Sequence, residues 1–128
     1  MKAFELETRL IDFASRVMEM TDSMPQSYGA RHLGSQIIRS ATAPALNYGE
    51  AQAAESRDDF IHKMKICQKE LRETLVCLKL IEKRGWFTQG KMAALLRESN
   101  ELIAIFVASN KTAVTKKASQ TRSPNRQS

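Results

Sequence analysis

Few residues in this chain are of the types that carry catalysis, and their spacing assembles no known chemistry. There are two histidines, His32 and His62. Neither forms an i, i+4 ligand pair with a second histidine or a cysteine, so both read as structural or surface residues. The two cysteines, Cys67 and Cys77, lie ten residues apart. On one helix that separation is ~15 Å along the axis, too far for a disulfide. Neither has a metal-ligand neighbour at the usual spacing, so both read as buried free thiols, which fits a reducing cytoplasm. Glu70 and Glu73 stand one turn apart, and paired carboxylates can perform acid–base work. On a bundle helix, however, such a pair is ordinarily solvated or salt-bridged. A di-iron bundle would need Glu-x-x-His on facing helices, and no glutamate here is followed three residues later by histidine. No serine sits in a nucleophile motif and no Gly-rich phosphate loop is present. The reading is a protein that is not an enzyme and holds neither cofactor nor metal.

Two surface patterns are more informative. Lys65, Lys69, Arg72, Lys79 and Lys83 fall within ~80° of one another at 100° per helical residue, opposite an apolar stripe. Such a row is either an ordinary solvated face or a ridge that tracks nucleic-acid phosphates. Gln36, Ser40, Ala43, Asn47 and Glu50, flanked by Arg39, repeat at 4-3-4-3 spacing on a second side of a different helix. Small and hydrogen-bonding residues at that spacing make either a plain polar face or a subunit interface, since small residues let another helix approach closely.

These side chains must be positioned by helices. Gly and Pro are scarce, at 5 and 3 copies, and aromatics make up 6%, which disfavours a sheet. Leu6, Leu10, Phe13, Val17 and Met20 define a first helix over about Glu5–Asp22. Pro25 and Gly29 break it. Leu33, Ile37, Ala41 and Tyr48 define a second over about Ala30–Ala54, with Pro44 expected to kink it. Ser56 caps a third, with Asp58 and Asp59 in its first turn. Phe60, Met64, Cys67, Leu71, Thr74, Leu78 and Ile81 then keep a heptad up to Arg84-Gly85. A fourth helix, about Thr88–Asn110, carries Met92, Leu95, Leu96, Leu102, Ile103, Phe106 and Val107. Four amphipathic helices with short connections predict an all-α, antiparallel up-and-down four-helix bundle over residues 1–110.

Residues 111–128 have almost nothing to bury and read as a disordered basic tail. They carry five basic residues and no acid, leaving 15 basic against 14 acidic in the body. The net charge of +6 therefore reports the tail more than the bundle. The N-terminal residues contain acids and no apolar stretch, unlike a signal peptide. The longest apolar run, Leu102–Ala108, is far short of the ~20 residues that span a bilayer, so no membrane role is expected.

The stretch Leu33-Gly34-Ser35-Gln36-Ile37-Ile38-Arg39-Ser40-Ala41, then Asn47-Tyr48-Gly49-Glu50-Ala51, then Ser56-Arg57-Asp58-Asp59-Phe60-Ile61-His62-Lys63-Met64-Lys65-Ile66, resembles the four-helix bundle proteins encoded in 23S rRNA intervening sequences. Lys69-Glu70-Leu71-Arg72-Glu73-Thr74 and Pro25 match the same bacterial family, whereas Ala43-Pro44 departs from it. The resemblance implies a four-helix bundle that assembles into a ring-like homo-oligomer, a pentamer, with no enzymatic activity. Relatives act as accessory factors in diversity-generating retroelements, where a basic oligomer binds nucleic acid and a reverse transcriptase. The expected partners are further copies of this chain and RNA or DNA. The alternative is a protein–protein scaffold with no nucleic-acid role.

Overall fold

A computed structural model describes residues 1–122, with side chains through Ser119. The chain forms four α-helices: α1 (Ala3–Asp22), α2 (Tyr28–Gln52), α3 (Arg57–Arg84) and α4 (Gln89–Arg122). Each start has a local cause. Ser27 Oγ accepts the Ala30 amide at 3.2 Å and Ser56 Oγ accepts the Asp59 amide at 3.0 Å, satisfying amides that have no partner within the helix. Thr88 Oγ1 does the same for Lys91 at 3.3 Å. α3 ends where Gly85 turns left-handed at φ 71°, the one position that needs a glycine's freedom, and its amide closes onto the Glu82 carbonyl at 3.1 Å.

The helices pack around a ring in chain order. α1 packs beside α2 and α4, and α3 beside α2 and α4, while the backbones of the diagonal pairs stay apart. That adjacency with short turns is an antiparallel up-and-down bundle. The apolar stripes meet inside it. Leu6, Leu10, Phe13, Val17 and Met20 from α1 are buried, as are Met64, Cys67, Leu71, Thr74, Leu78 and Ile81 from α3. The rings of Tyr48 and Phe106 bridge the α2–α4 diagonal edge-to-face, with centroids 5.9 Å apart. Pro44 lies inside α2, is buried, and leaves the helix unbroken from Tyr28 to Gln52.

The fourth helix departs from expectation in two ways. It does not stop near Asn110: it runs to Arg122, so residues 111–122 belong to α4 and not to a disordered tail. The reason is tertiary. Asn110 is buried and donates to the Met64 carbonyl at 3.2 Å and to Gln68 Oε1 at 2.7 Å. One turn further on Ala113 is buried, and Lys117 pairs with Asp58 at the start of α3. Residues 123–128 of the expected tail lie outside the described residues. Val107, placed in the apolar stripe by its spacing, points outward, and Ser99 takes a core position on the same helix.

Inside the bundle Ser40 and Thr74, both 0% exposed, join their hydroxyls at 2.9 Å across α2 and α3. Each hydroxyl also reaches a carbonyl of its own helix, Thr74 that of Glu70 at 2.9 Å and Ser40 that of Ile37 at 3.4 Å, so replacing one leaves the other a backbone acceptor. Ser40→Ala or Thr74→Val alone should therefore cost about 0.5–1.5 kcal/mol, the net worth of one hydrogen bond. The double replacement should cost less than the two added together. Urea unfolding followed by circular dichroism measures the coupling, and strict additivity would show that the contact contributes nothing.

The thiols are inert by position. Cys67 and Cys77 are both buried and free. Desolvation pushes the Cys67 thiol up to about 12, and burial pushes Cys77 upward too. Because the folded-state value of Cys67 exceeds its ordinary 9.0, its contribution to stability is fully present below pH 9.0 and is lost as pH climbs toward 12. Neither thiol should react with Ellman's reagent at pH 8 in the native protein, and both should react in guanidinium. Rapid labelling of the native chain would contradict this.

Candidate nucleic-acid interface

The five cations singled out by spacing, Lys65, Lys69, Arg72, Lys79 and Lys83, are all exposed on the outer face of α3. None of them takes part in an ion pair among the described residues. The acids of the middle of that helix have been drawn away from them. Glu70 accepts from Arg39 of α2 at 2.9 Å, and its side chain is only 7% exposed. Glu73 accepts from Gln36 at 2.9 Å and pairs with the other arm of the Arg39 guanidinium. Lys63, on the α2-facing side of α3, is neutralised by Glu50 of α2 at 3.1 Å. The five cations therefore stay outside any ion pair among the described residues, with Glu82 the one exposed acid beside the Lys79–Lys83 end, and they are free to meet an external anion.

These contacts also relocate the second pattern. Gln36, Arg39, Ser40 and Glu50 face α3 of their own chain. Ser40 is fully buried, so it cannot meet a second subunit. Asn47 donates to the Ala43 carbonyl of its own helix at 2.9 Å, and both are half-buried. The small-polar heptad is thus for the most part the α2–α3 seam. Periodicity located a packing surface correctly, but a neighbouring helix in the same chain has the same requirements as one from another chain.

A different face is open to a partner. Ile11, Ala14, Ser15 and Met18 of α1 and Thr42, Ala45 and Leu46 of α2 line a shallow apolar groove of about 430 Å³. Ile11, Met18 and Leu46 are 51%, 44% and 67% exposed, unusual for large apolar side chains and concentrated on one face. Phe4, Ile11 and Met18 repeat every seven residues, a signal present in the sequence but overshadowed by the stronger core stripe of α1.

Sites of other kinds are sparse. Among the described residues no group of three or more His, Cys, Asp or Glu side chains is placed to hold a metal ion. His32 and His62 are exposed and lie on different helices. Among the described residues no helix is long and apolar enough to cross a membrane.

A bundle of this order is matched by comparison with known proteins. The family model of the 23S rRNA-intervening sequence protein matches residues 3–108. The chain belongs to that family. A crystal structure of a protein of unknown function from the S23 ribosomal protein family of Bacteroides thetaiotaomicron is similar, with 28% identity and a TM-score of 0.79. The match covers 87% of this chain and 99% of that one. No curated protein matches significantly. The family match ends at residue 108, before the last turns of α4, so the extension to Arg122 lies beyond the part this chain shares with the family model.

Proposed function

We propose that this family member is a non-enzymatic, oligomeric accessory protein that binds nucleic acid, RNA in preference, through the outer face of α3. One observation carries the reading: Arg39 holds Glu70 and Glu73 at the α2–α3 seam, leaving Lys65, Lys69, Arg72, Lys79 and Lys83 exposed and outside any ion pair among the described residues. Cations on an exposed helix meet phosphates and not base edges, so recognition is weakly sequence-selective. Five contacts from one subunit give little affinity at physiological salt. Repetition around a ring, the pentamer that the family resemblance implies, raises effective concentration without a new kind of contact. The self-association surface in this reading is the apolar α1–α2 groove. The two buried free thiols support a cytoplasmic location in this reading.

The experiment is an RNA titration with the chain ending at Arg122, followed by fluorescence anisotropy over a range of salt. That end point keeps α4 whole, whereas ending at Asn110 would remove the buried Ala113. Binding that weakens steeply with salt is expected. Absence of salt-dependent binding would favour a protein scaffold instead. That second reading is supported by Val76 and Leu80, 56% and 49% exposed on the same helix as the cations. In light scattering, Leu46→Lys should lower the mass with helical content unchanged. A wild-type chain that is already monomeric at micromolar concentration would rule out the self-association.

A further inference from the structure

The bundle has two unlike ends. Antiparallel order brings the α1–α2 turn and the α3–α4 turn to one of them. Tyr28, at the first position of α2, is 84% exposed there. Trp86 and Phe87, in the α3–α4 turn, are half-buried, with part of each ring packed against the core. Each ring carries a cation over it. The Arg84 guanidinium lies 5.7 Å from the Trp86 centroid, and the Lys91 ammonium lies 5.1 Å from that of Phe87. The other aromatics are placed differently. Phe13, Tyr48 and Phe106 are buried in the core, and Phe4, exposed at the opposite end, is followed by Glu5 and Glu7. Phe60, half-buried toward the opposite end, shares a pocket with Arg57 and Lys116, but among the described residues only Trp86 and Phe87 carry a cation over the ring face. The α3 ridge leads into the end that holds these two rings, because Lys79 and Lys83 directly precede Arg84.

We infer that this end is a stacking platform for unpaired bases, so that the nucleic acid held by the α3 ridge is single-stranded. The inference rests on the ridge reading above and adds the class of ligand. A ring anchored on the core is already ordered, so a base that stacks on it immobilises little further. Stacking accepts any base, since every base has a π-face, and a neighbouring arginine adds a cation–π contribution. A duplex hides those faces inside its own stack. The distance from Lys65 to Lys83 is ~27 Å at 1.5 Å per residue, a track long enough for several nucleotides of one strand before the rings are reached.

Trp86 is the only tryptophan of the chain and reports on its own surroundings. The test uses a ~15-nucleotide oligouridylate, a length within the site sizes of single-strand binders, and the same strand annealed to its complement. Binding is read by anisotropy of labelled strands, and Trp86 emission is read with unlabelled ones. The expected result is tighter binding of the single strand, with quenching of Trp86 that follows the binding curve. Trp86→Ala should weaken single-strand binding about tenfold, and Trp86→Phe should retain most of it. Tyr28→Ala removes a side chain that packs on little, so it tests the platform without risk to the fold. Helical content by circular dichroism separates a lost ring from a lost structure. Single-strand binding with unchanged Trp86 emission, or equal affinity for the duplex, would overturn the platform and leave the ridge standing. No binding of either nucleic acid would remove the ridge reading and the platform with it.

Discussion

Leu71→Ala should lower the unfolding free energy by about 2–5 kcal/mol. Leu71 is 0% exposed at the middle of α3, the helix that packs on both α2 and α4. Shortening it removes apolar contacts and opens a cavity that four rigid helices cannot close by moving one side chain. Leu78, 0% exposed two turns further on, holds the matching position and should behave alike. The measurement is denaturant unfolding with a shared slope for wild type and variant. A loss under about 0.5 kcal/mol, the range of surface substitutions, would mean that the α3 stripe does not face the core.

Reversing the charge of the ridge should have the largest effect on function. Lys65, Lys69 and Arg72 changed together to glutamate remove three phosphate contacts and place three acids on the same face. For single strands each neutralised phosphate contributes about 0.7 to the slope of log affinity against log salt, so the slope should flatten by about 2. The fold should not suffer, because all three side chains are exposed and none is in an ion pair among the described residues. Removing residues 123–128 should do less, since it takes away only Arg126 among the basic residues. If the reversed variant binds RNA like wild type while the shortened chain does not, the reader of nucleic acid is the C-terminus and the bundle is a scaffold.

The two charge patterns show how differently sequence and structure speak about the site. That Lys65, Lys69, Arg72, Lys79 and Lys83 share a face follows from helical periodicity alone, and all five are exposed. That Glu70 and Glu73 are drawn away from it does not follow from periodicity. Glu70 and Glu73 lie between those cations in the chain, and they could equally have neutralised Lys69 or Arg72 on the helix surface. Arg39, 31 and 34 residues away, decides the matter by holding both.

What the sequence determined by itself is what spacing within one helix carries: the four helices, the caps of α3, its buried stripe, and which residues share a face. These are set by the 3.6-residue turn and by apolar side chains leaving water, and neither requires knowledge of a neighbour. What only the tertiary structure decided is which neighbour each face meets. Gln36, Arg39, Ser40 and Glu50 turn to α3 of the same chain, because its Glu70, Glu73, Thr74 and Lys63 supply the matching donors and acceptors. α4 persists beyond Asn110 for the same kind of reason. Its own residues there are poor in apolar area, but α3 offers Met64, Gln68 and Asp58 alongside. Polar groups can be satisfied by water or by many partners, so their final contacts are settled only when the helices have packed.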